Sequence, residues 1–234
     1  MGRPWHAGAM CGRYANFLET QDILDTFAIA EAADDARLLQ PSWNIAPTQL
    51  APIVTLAPDG ATRRLVAARW GLVPTWAPDP SIGSRLFNAR SETAATKPSF
   101  RSAFAKRRCL VPASGYYEWL ARPDGKQPYF IHPVDGSPVA FAGLWETRAE
   151  GDGRLFTFSI LTTAARGDLA AIHERQPVML GTDARDAWMD AETPPDELTA
   201  VLASDSPPVE ARPVSKEVGN VRNNDPSLVL PVSG

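Results

Sequence analysis

Apolar and polar positions change rhythm often along this chain, and the apolar runs are short. Over Thr20–Ala28 the residues Ile23, Leu24 and Phe27 fall on one helical face. With Thr20 as the cap and Asp22 in the first turn, that spacing predicts a helix. Ala51–Leu56 and Arg64–Trp70 read as strands on either side of Pro58-Asp59-Gly60, a hairpin turn signal. Leu110–Trp119, Tyr129–His132, Val139–Trp145 and Leu155–Thr162 are further predicted strands, separated by Pro123-Asp124-Gly125 and Asp135-Gly136. Helices are predicted at Ser99–Lys106, Ala165–Ile172, Asp183–Asp190 and Asp196–Ala203. The 22 prolines are spread widely, which disfavours a helical bundle. Strands dominate the centre and helices flank them. The pattern predicts an α+β fold, one domain around a curved antiparallel sheet or barrel.

Composition narrows the function classes. The 234 residues are 44% hydrophobic and 21% charged, enough to bury a real core. No apolar run reaches the roughly 18–20 residues of a membrane span, and the first ten residues lack a secretory apolar stretch. A cytoplasmic protein with no membrane partner is expected. Net charge is −4, which argues against general polyanion binding but leaves room for a local basic groove. Cys11 and Cys109 make neither a disulfide framework nor a zinc site, and His6, His132 and His173 are scattered. No metal and no cofactor are expected. Cys109, in the run Cys109-Leu110-Val111, reads as a core residue.

Five segments concentrate polar groups. Met10-Cys11-Gly12-Arg13-Tyr14 offers a methionine directly before a cysteine. If chain synthesis starts at Met10 and that residue is removed, Cys11 carries a thiol and a free α-amine together. That pair condenses with an aldehyde to a five-membered thiazolidine, which an internal cysteine cannot do. The plainer reading of Cys11 is a buried strand thiol. Asn44-Ile45-Ala46-Pro47 alone signals a turn. In Phe87-Asn88-Ala89-Arg90-Ser91-Glu92-Thr93, Asn88 and Arg90 share a face if the segment is extended, and the Arg90 fork suits a phosphate. A surface Arg–Glu pair is the alternative. Arg85, Lys97, Arg101, Lys106, Arg107 and Arg108 lie close by and form a candidate phosphate track or a solvated helix face. Glu118 in Gly115-Tyr116-Tyr117-Glu118-Trp119 sits between aromatics, where desolvation would raise its pKa toward neutrality, unless its head reaches water. His173, at the predicted end of a helix, reads as a satisfied capping residue or as an acid–base group.

The ordered series is more specific than its parts. Met10-Cys11-Gly12-Arg13-Tyr14, Trp43-Asn44-Ile45-Ala46-Pro47, Trp70-Gly71-Leu72-Val73-Pro74-Thr75-Trp76, Asn88-Ala89-Arg90-Ser91-Glu92-Thr93, Gly115-Tyr116-Tyr117-Glu118-Trp119, Ile172-His173-Glu174-Arg175-Gln176-Pro177 and Val218-Gly219-Asn220-Val221 resemble the SRAP family, the SOS-response-associated peptidases. The resemblance runs from about Met10 to about Leu230. It implies a single SRAP domain over residues 10–234 that binds single-stranded DNA containing abasic sites. It also implies a covalent crosslink from an N-terminal cysteine to the abasic site. Residue by residue, Cys11 matches the crosslinking cysteine, Asn88 the asparagine that positions it, and Glu118 and His173 the acid–base pair. Arg13, Arg90 and Arg175 match DNA-contacting arginines, with Trp76 and Pro47 beside the groove. Asn88 is expected to hold the amine through its carbonyl oxygen. Residues 1–9 are expected to be a cleavable leader or a misassigned start. A monomer, associated with the nucleoid when bound to DNA, is expected. Lyase and autoproteolytic activity stay open, as do two rival readings. One is a cysteine peptidase with Cys11 as thiolate and His173 as base. The other is a non-covalent single-strand DNA reader.

Overall fold

The computed structural model describes residues 11–151 and 153–232. The expected leader at 1–9 lies outside them, as do Met10 and the last two residues of the domain. Among the described residues there are fourteen strands; β1 (Tyr14–Asn16), β2 (Glu31–Ala32), β3 (Ser42–Ile45), β4 (Leu50–Leu56), β5 (Arg63–Trp70), β6 (Asn88–Arg90) and β7 (Arg108–Ala113) come first. Then follow β8 (Gly115–Arg122), β9 (Gly125–Pro133), β10 (Val139–Glu150), β11 (Gly153–Ala164), β12 (Arg175–Pro177), β13 (Met179–Leu180) and β14 (Val209–Pro213). The helices are α1 (Thr20–Thr26), α2 (Asp34–Arg37), α3 (Ser91–Ala94), α4 (Arg101–Lys106), α5 (Thr182–Met189) and α6 (Pro195–Ala203).

The barrel closes through β11-β10-β7-β4-β5 and back to β11. Four of its five seams are antiparallel, and two of them, β4–β5 and β10–β11, are hairpins that require it. The fifth, β5 to β11, is parallel at Thr157↔Arg69 and Phe158↔Trp70. β6 also lies parallel to β11, pairing Asn88 with Ile160 and Arg90 with Thr162. The expected α+β fold with a barrel core is present, and these two pairings within it are parallel. Both join segments far apart in sequence, where no hairpin constrains direction.

A second sheet, β14-β9-β8-β1-β3, packs against the barrel. Side chains alternate across it. Tyr14, Tyr116 and Ile131 face a core shared with Ile53, Trp70, Phe141 and Phe158 of the barrel. Ala15, Tyr117 and Phe130 face the C-terminal residues Val214, Val218 and Leu228. A further core joins the other faces of the barrel strands to α1, α4, α5 and α6 through Phe27, Phe104, Trp188 and Leu202. Each fully buried side chain of this size contributes roughly 1.5–3 kcal/mol.

The β4–β5 hairpin forms as predicted, with Gly60 in the left-handed region at φ 74°. Three expectations are corrected. Leu110–Trp119 is two strands in different sheets: the chain crosses at Ser114, whose N–H donates to Ala15 O while its Oγ accepts Phe17 N–H. Gly115 is required there, because a Cβ would stand 2.5 Å from the Phe130 ring. Ala165–Ile172 forms only a short 3-10 turn, Gly167–Ala171, with Gly167 at φ 54°. The N-cap of α1 is Glu19, not Thr20.

Candidate active site

The β1–β8 register builds the site. Tyr14 pairs with Tyr116 and Ala15 with Gly115, so the residues before Tyr14 run antiparallel alongside Glu118. Period-two alternation places Glu118 on the same face as Tyr116, toward the barrel. Cys11 is fully buried and its backbone nitrogen donates to Glu118 Oε1 at 2.7 Å. Asn88, fixed by the parallel β6–β11 pairing, donates its side-chain Nδ2 to Cys11 O at 3.0 Å. This contact engages Asn88 through its amide group and the carbonyl end of Cys11. The nitrogen of Cys11 is on Glu118.

Electrostatics follow from burial. Glu118 is only 4% exposed, and loss of solvent pushes its pKa from an ordinary 4.5 up to about 7. His173 and the N–H groups of Cys11 and Trp119 pull the other way. The Cys11 thiol is pushed well up, by burial first and then by the Glu118 charge, and the Arg13 N–H offsets part of this. Burial, Cys11 and Glu118 together raise the Tyr116 phenol. At neutral pH the pocket thus holds a protonated thiol beside a carboxyl group poised between its two states.

His173 Nδ1 lies 3.9 Å from Glu118 Oε1, beyond hydrogen-bond length but close enough for a charge to be felt. The same nitrogen accepts the Arg175 N–H at 3.1 Å. It also lies 3.2 Å from Arg175 O, to which it donates when it carries a proton. His173 follows the 3-10 turn and donates its own N–H to Leu169 O. Cys11, Asn88, Glu118 and His173 therefore come together from four segments.

The other expected residues divide. Arg90 and Trp76 are exposed, Trp76 at 59%, and Pro47 is half-buried. Arg13 spends one guanidinium nitrogen on Asn44 Oδ1 and Val218 O, with its charge 6.0 Å from the Trp119 ring. Arg175 is buried, and its fork grips Glu92 at 2.5 and 2.8 Å and Thr162 O at 2.7 Å. Its donors are turned into the protein, so this geometry makes it a strut between β12 and α3. The basic track is likewise interrupted. Arg107 pairs with Glu146 and Arg108 donates to the carbonyls of Trp188, Phe104, Ala105 and Asp190. Arg85, Lys97, Arg101 and Lys106 are exposed.

Two residues escaped the sequence reading. Asn44, read as a turn residue, is buried and donates Nδ2 to the carbonyls of Val218, Asn220 and Asn223. It ties β3 and Arg13 to the C-terminal loop. Tyr116, two residues before Glu118, stands close enough to Cys11 and Glu118 to feel both charges. Its period-two relation to Glu118 was the available signal. Cys109 is buried in the core, as expected, and burial alone raises its thiol. Among the described residues no group of His, Cys, Asp and Glu could hold a metal ion, and no helix is long and apolar enough to cross a membrane.

Comparison with known proteins adds to this geometry. Residues 10–221 match the family model described as SOS response associated peptidase (SRAP). The chain is 39% identical to the abasic site processing protein YoqW of Bacillus subtilis (strain 168), covering 94% of this chain and 99% of that one. It is 34% identical to the abasic site processing protein YedK of Escherichia coli (strain K12), covering 95% and 100%. A crystal structure of a Bacteroides thetaiotaomicron protein superposes with a TM-score of 0.84 at 23% identity, over 95% of this chain and 100% of that one, a likeness of fold. Since these matches run through the barrel, the second sheet and every segment that meets at Cys11, the chain belongs to the SRAP family.

Proposed function

We propose that this protein, in the form that begins at Cys11, processes abasic sites in single-stranded DNA by crosslinking to them through a thiazolidine. Related chains of this length carry the name abasic site processing protein. The observation that carries the reading is the 2.7 Å contact between the Cys11 nitrogen and a carboxyl group whose pKa is about 7. A free α-amine has a reference pKa of about 7.7–8.0, so near neutrality it needs a partner that takes one proton and returns it.

The abasic deoxyribose opens to its C1′ aldehyde as the C1′–O4′ bond breaks, His173 protonating the ring oxygen while the C1′ hydroxyl gives up its proton to water. Glu118 takes a proton from the Cys11 ammonium, and the neutral amine adds to C1′. Glu118 then protonates the departing hydroxyl, water leaves, and an imine remains. The Cys11 sulfur adds to the imine carbon, its proton passing through Glu118 to the nitrogen. The sum is aldehyde plus aminothiol giving thiazolidine plus water. Asn88 holds the Cys11 carbonyl, which limits rotation of the reacting residue. The imine also acidifies C2′, so elimination with strand scission competes until the ring closes.

The arrangement favours this over a thiolate peptidase. A peptidase needs a base against the sulfur and a lowered thiol pKa. Here the thiol is raised and the Glu118 carboxylate, which raises it further, is the group that His173 faces. The test is a denaturing gel with an abasic oligonucleotide. Protein beginning at Cys11 gives a covalent band, and the same protein with its α-amine acetylated gives none. A peptidase reverses this, tolerating the blocked amine and cutting foreign protein substrates.

A further inference from the structure

Partly buried cations in this molecule are almost all partnered. Arg13, Arg63, Arg107, Arg108, Arg148 and Arg175 each donate to a carbonyl or a carboxylate. Arg185 and Arg212 lie over aromatic rings, and Arg64 is 3.9 Å from Glu31. Arg69 is the exception: among the described residues it is half-buried with no hydrogen bond, ion pair or ring contact to its side chain. Arg69 lines a pocket of about 250 Å³ between the end of β5 and the turn Pro80–Arg85.

The pocket is a built feature. Thr48, on its wall, holds φ 76°, a region a β-branched residue enters only under strain. Its N–H is tied to Trp70 O at 2.7 Å, which fixes the strained turn. Opposite, Gly71 and Gly83 are pressed together so tightly that a Cβ on either would stand 2.5 Å from the other's carbonyl oxygen. Asp79 is the nearby acid, and both its oxygens are taken by Ser81. The pocket also adjoins the candidate active site. Trp70, on its wall, donates Nε1 to Phe87 O, one residue before Asn88, and Thr48 follows Pro47.

We propose that this pocket holds one phosphodiester of the DNA strand whose abasic site lies at Cys11. The Arg69 fork takes two phosphate oxygens and the Thr48 hydroxyl donates to one of them. The inference rests on the single-strand DNA reading of the preceding subsection. It adds a backbone contact next to Pro47.

The test uses single-stranded oligonucleotides with a tetrahydrofuran in place of the abasic sugar, which bind without crosslinking. Affinity is read by fluorescence anisotropy across a salt series for the wild type, Arg69→Gln and Arg69→Lys. The account expects Arg69→Gln to bind about five- to tenfold more weakly at low salt. Its log–log salt slope should be shallower by about 0.7, the value for one phosphate on a single strand. Arg69→Lys should restore the slope. A methylphosphonate at one position should bring the wild type down to Arg69→Gln and leave the variant unchanged. Equal slopes for wild type and Arg69→Gln, or no methylphosphonate that separates them, would overturn the proposal. Crosslinking to a true abasic oligonucleotide is scored separately on a denaturing gel. Failure there removes the Cys11 chemistry, whereas an unchanged slope with intact crosslinking removes only the Arg69 site.

Discussion

Two glutamates on neighbouring segments carry opposite burdens. Glu118 is buried with a nitrogen donor and a distant imidazole but no guanidinium, and loss of water raises its pKa to about 7. Glu92 is half-exposed in the bidentate grip of Arg175, and that grip lowers its pKa. Both meet the strand region that carries His173 and Arg175, two residues apart. The carboxyl given a full counter-charge is locked in one protonation state and serves as a strut. The one given burial without a full counter-charge can take and release protons at neutral pH. Their pH linkage has opposite sign. Glu92 adds stability above the ordinary carboxylate range, lost as pH falls. Glu118 binds a proton more tightly in the folded state, so its ionisation removes stability as pH rises from about 4.5 to about 7.

The sharpest break between the regions is at the sulfur. Cys11→Ala should abolish the stable DNA adduct on a denaturing gel, while a substitution at buried Cys109 that folds should leave it intact. Cys11→Ser should keep transient imine chemistry and shift products toward strand scission. Glu118→Gln comes next, with crosslinking slowed about 100-fold and loss of the ionisation near pH 7 from the rate profile. The same substitution should stabilise the fold above pH 7, by up to about 3 kcal/mol in chemical denaturation, since it removes a buried charge. Arg175→Ala should do the reverse. It should cost about 2 kcal/mol of stability and change the crosslinking rate of the folded protein less than twofold. Trp76→Ala should have the smallest effect, a three- to tenfold loss of non-covalent affinity for single strands without a change in crosslinking at saturating DNA.

Local signals made much of the fold legible. The Pro58-Asp59-Gly60 turn, the apolar face of α1 and the strand runs of β9, β10 and β11 were readable because each is satisfied by near neighbours. Two failures have the same physical root. Leu110 to Trp119 is apolar throughout, and only tertiary packing at Ser114 sends its halves to different sheets. Ala165–Ile172 has helical composition, but Gly167 at positive φ leaves it one tight turn. In the site, the residue types were visible and their convergence was not. Glu118 lies 107 residues from Cys11 and Asn88 lies 77 away, joined by the β1–β8 register and the parallel β6–β11 seam. Arg175 shows why a fork alone is ambiguous in sequence, since a phosphate and the Glu92 carboxylate ask for the same donors.

The central claim is that the amine and thiol of Cys11 react together, with Glu118 carrying the protons. The most direct measurement is mass spectrometry of the protein after reaction with an abasic oligonucleotide and nuclease digestion. The account predicts that the peptide beginning at Cys11 carries the sugar adduct, with one water lost and with neither amine nor thiol free to alkylation. An adduct on any other residue, or an equal adduct on protein whose Cys11 nitrogen is still in a peptide bond, would contradict it.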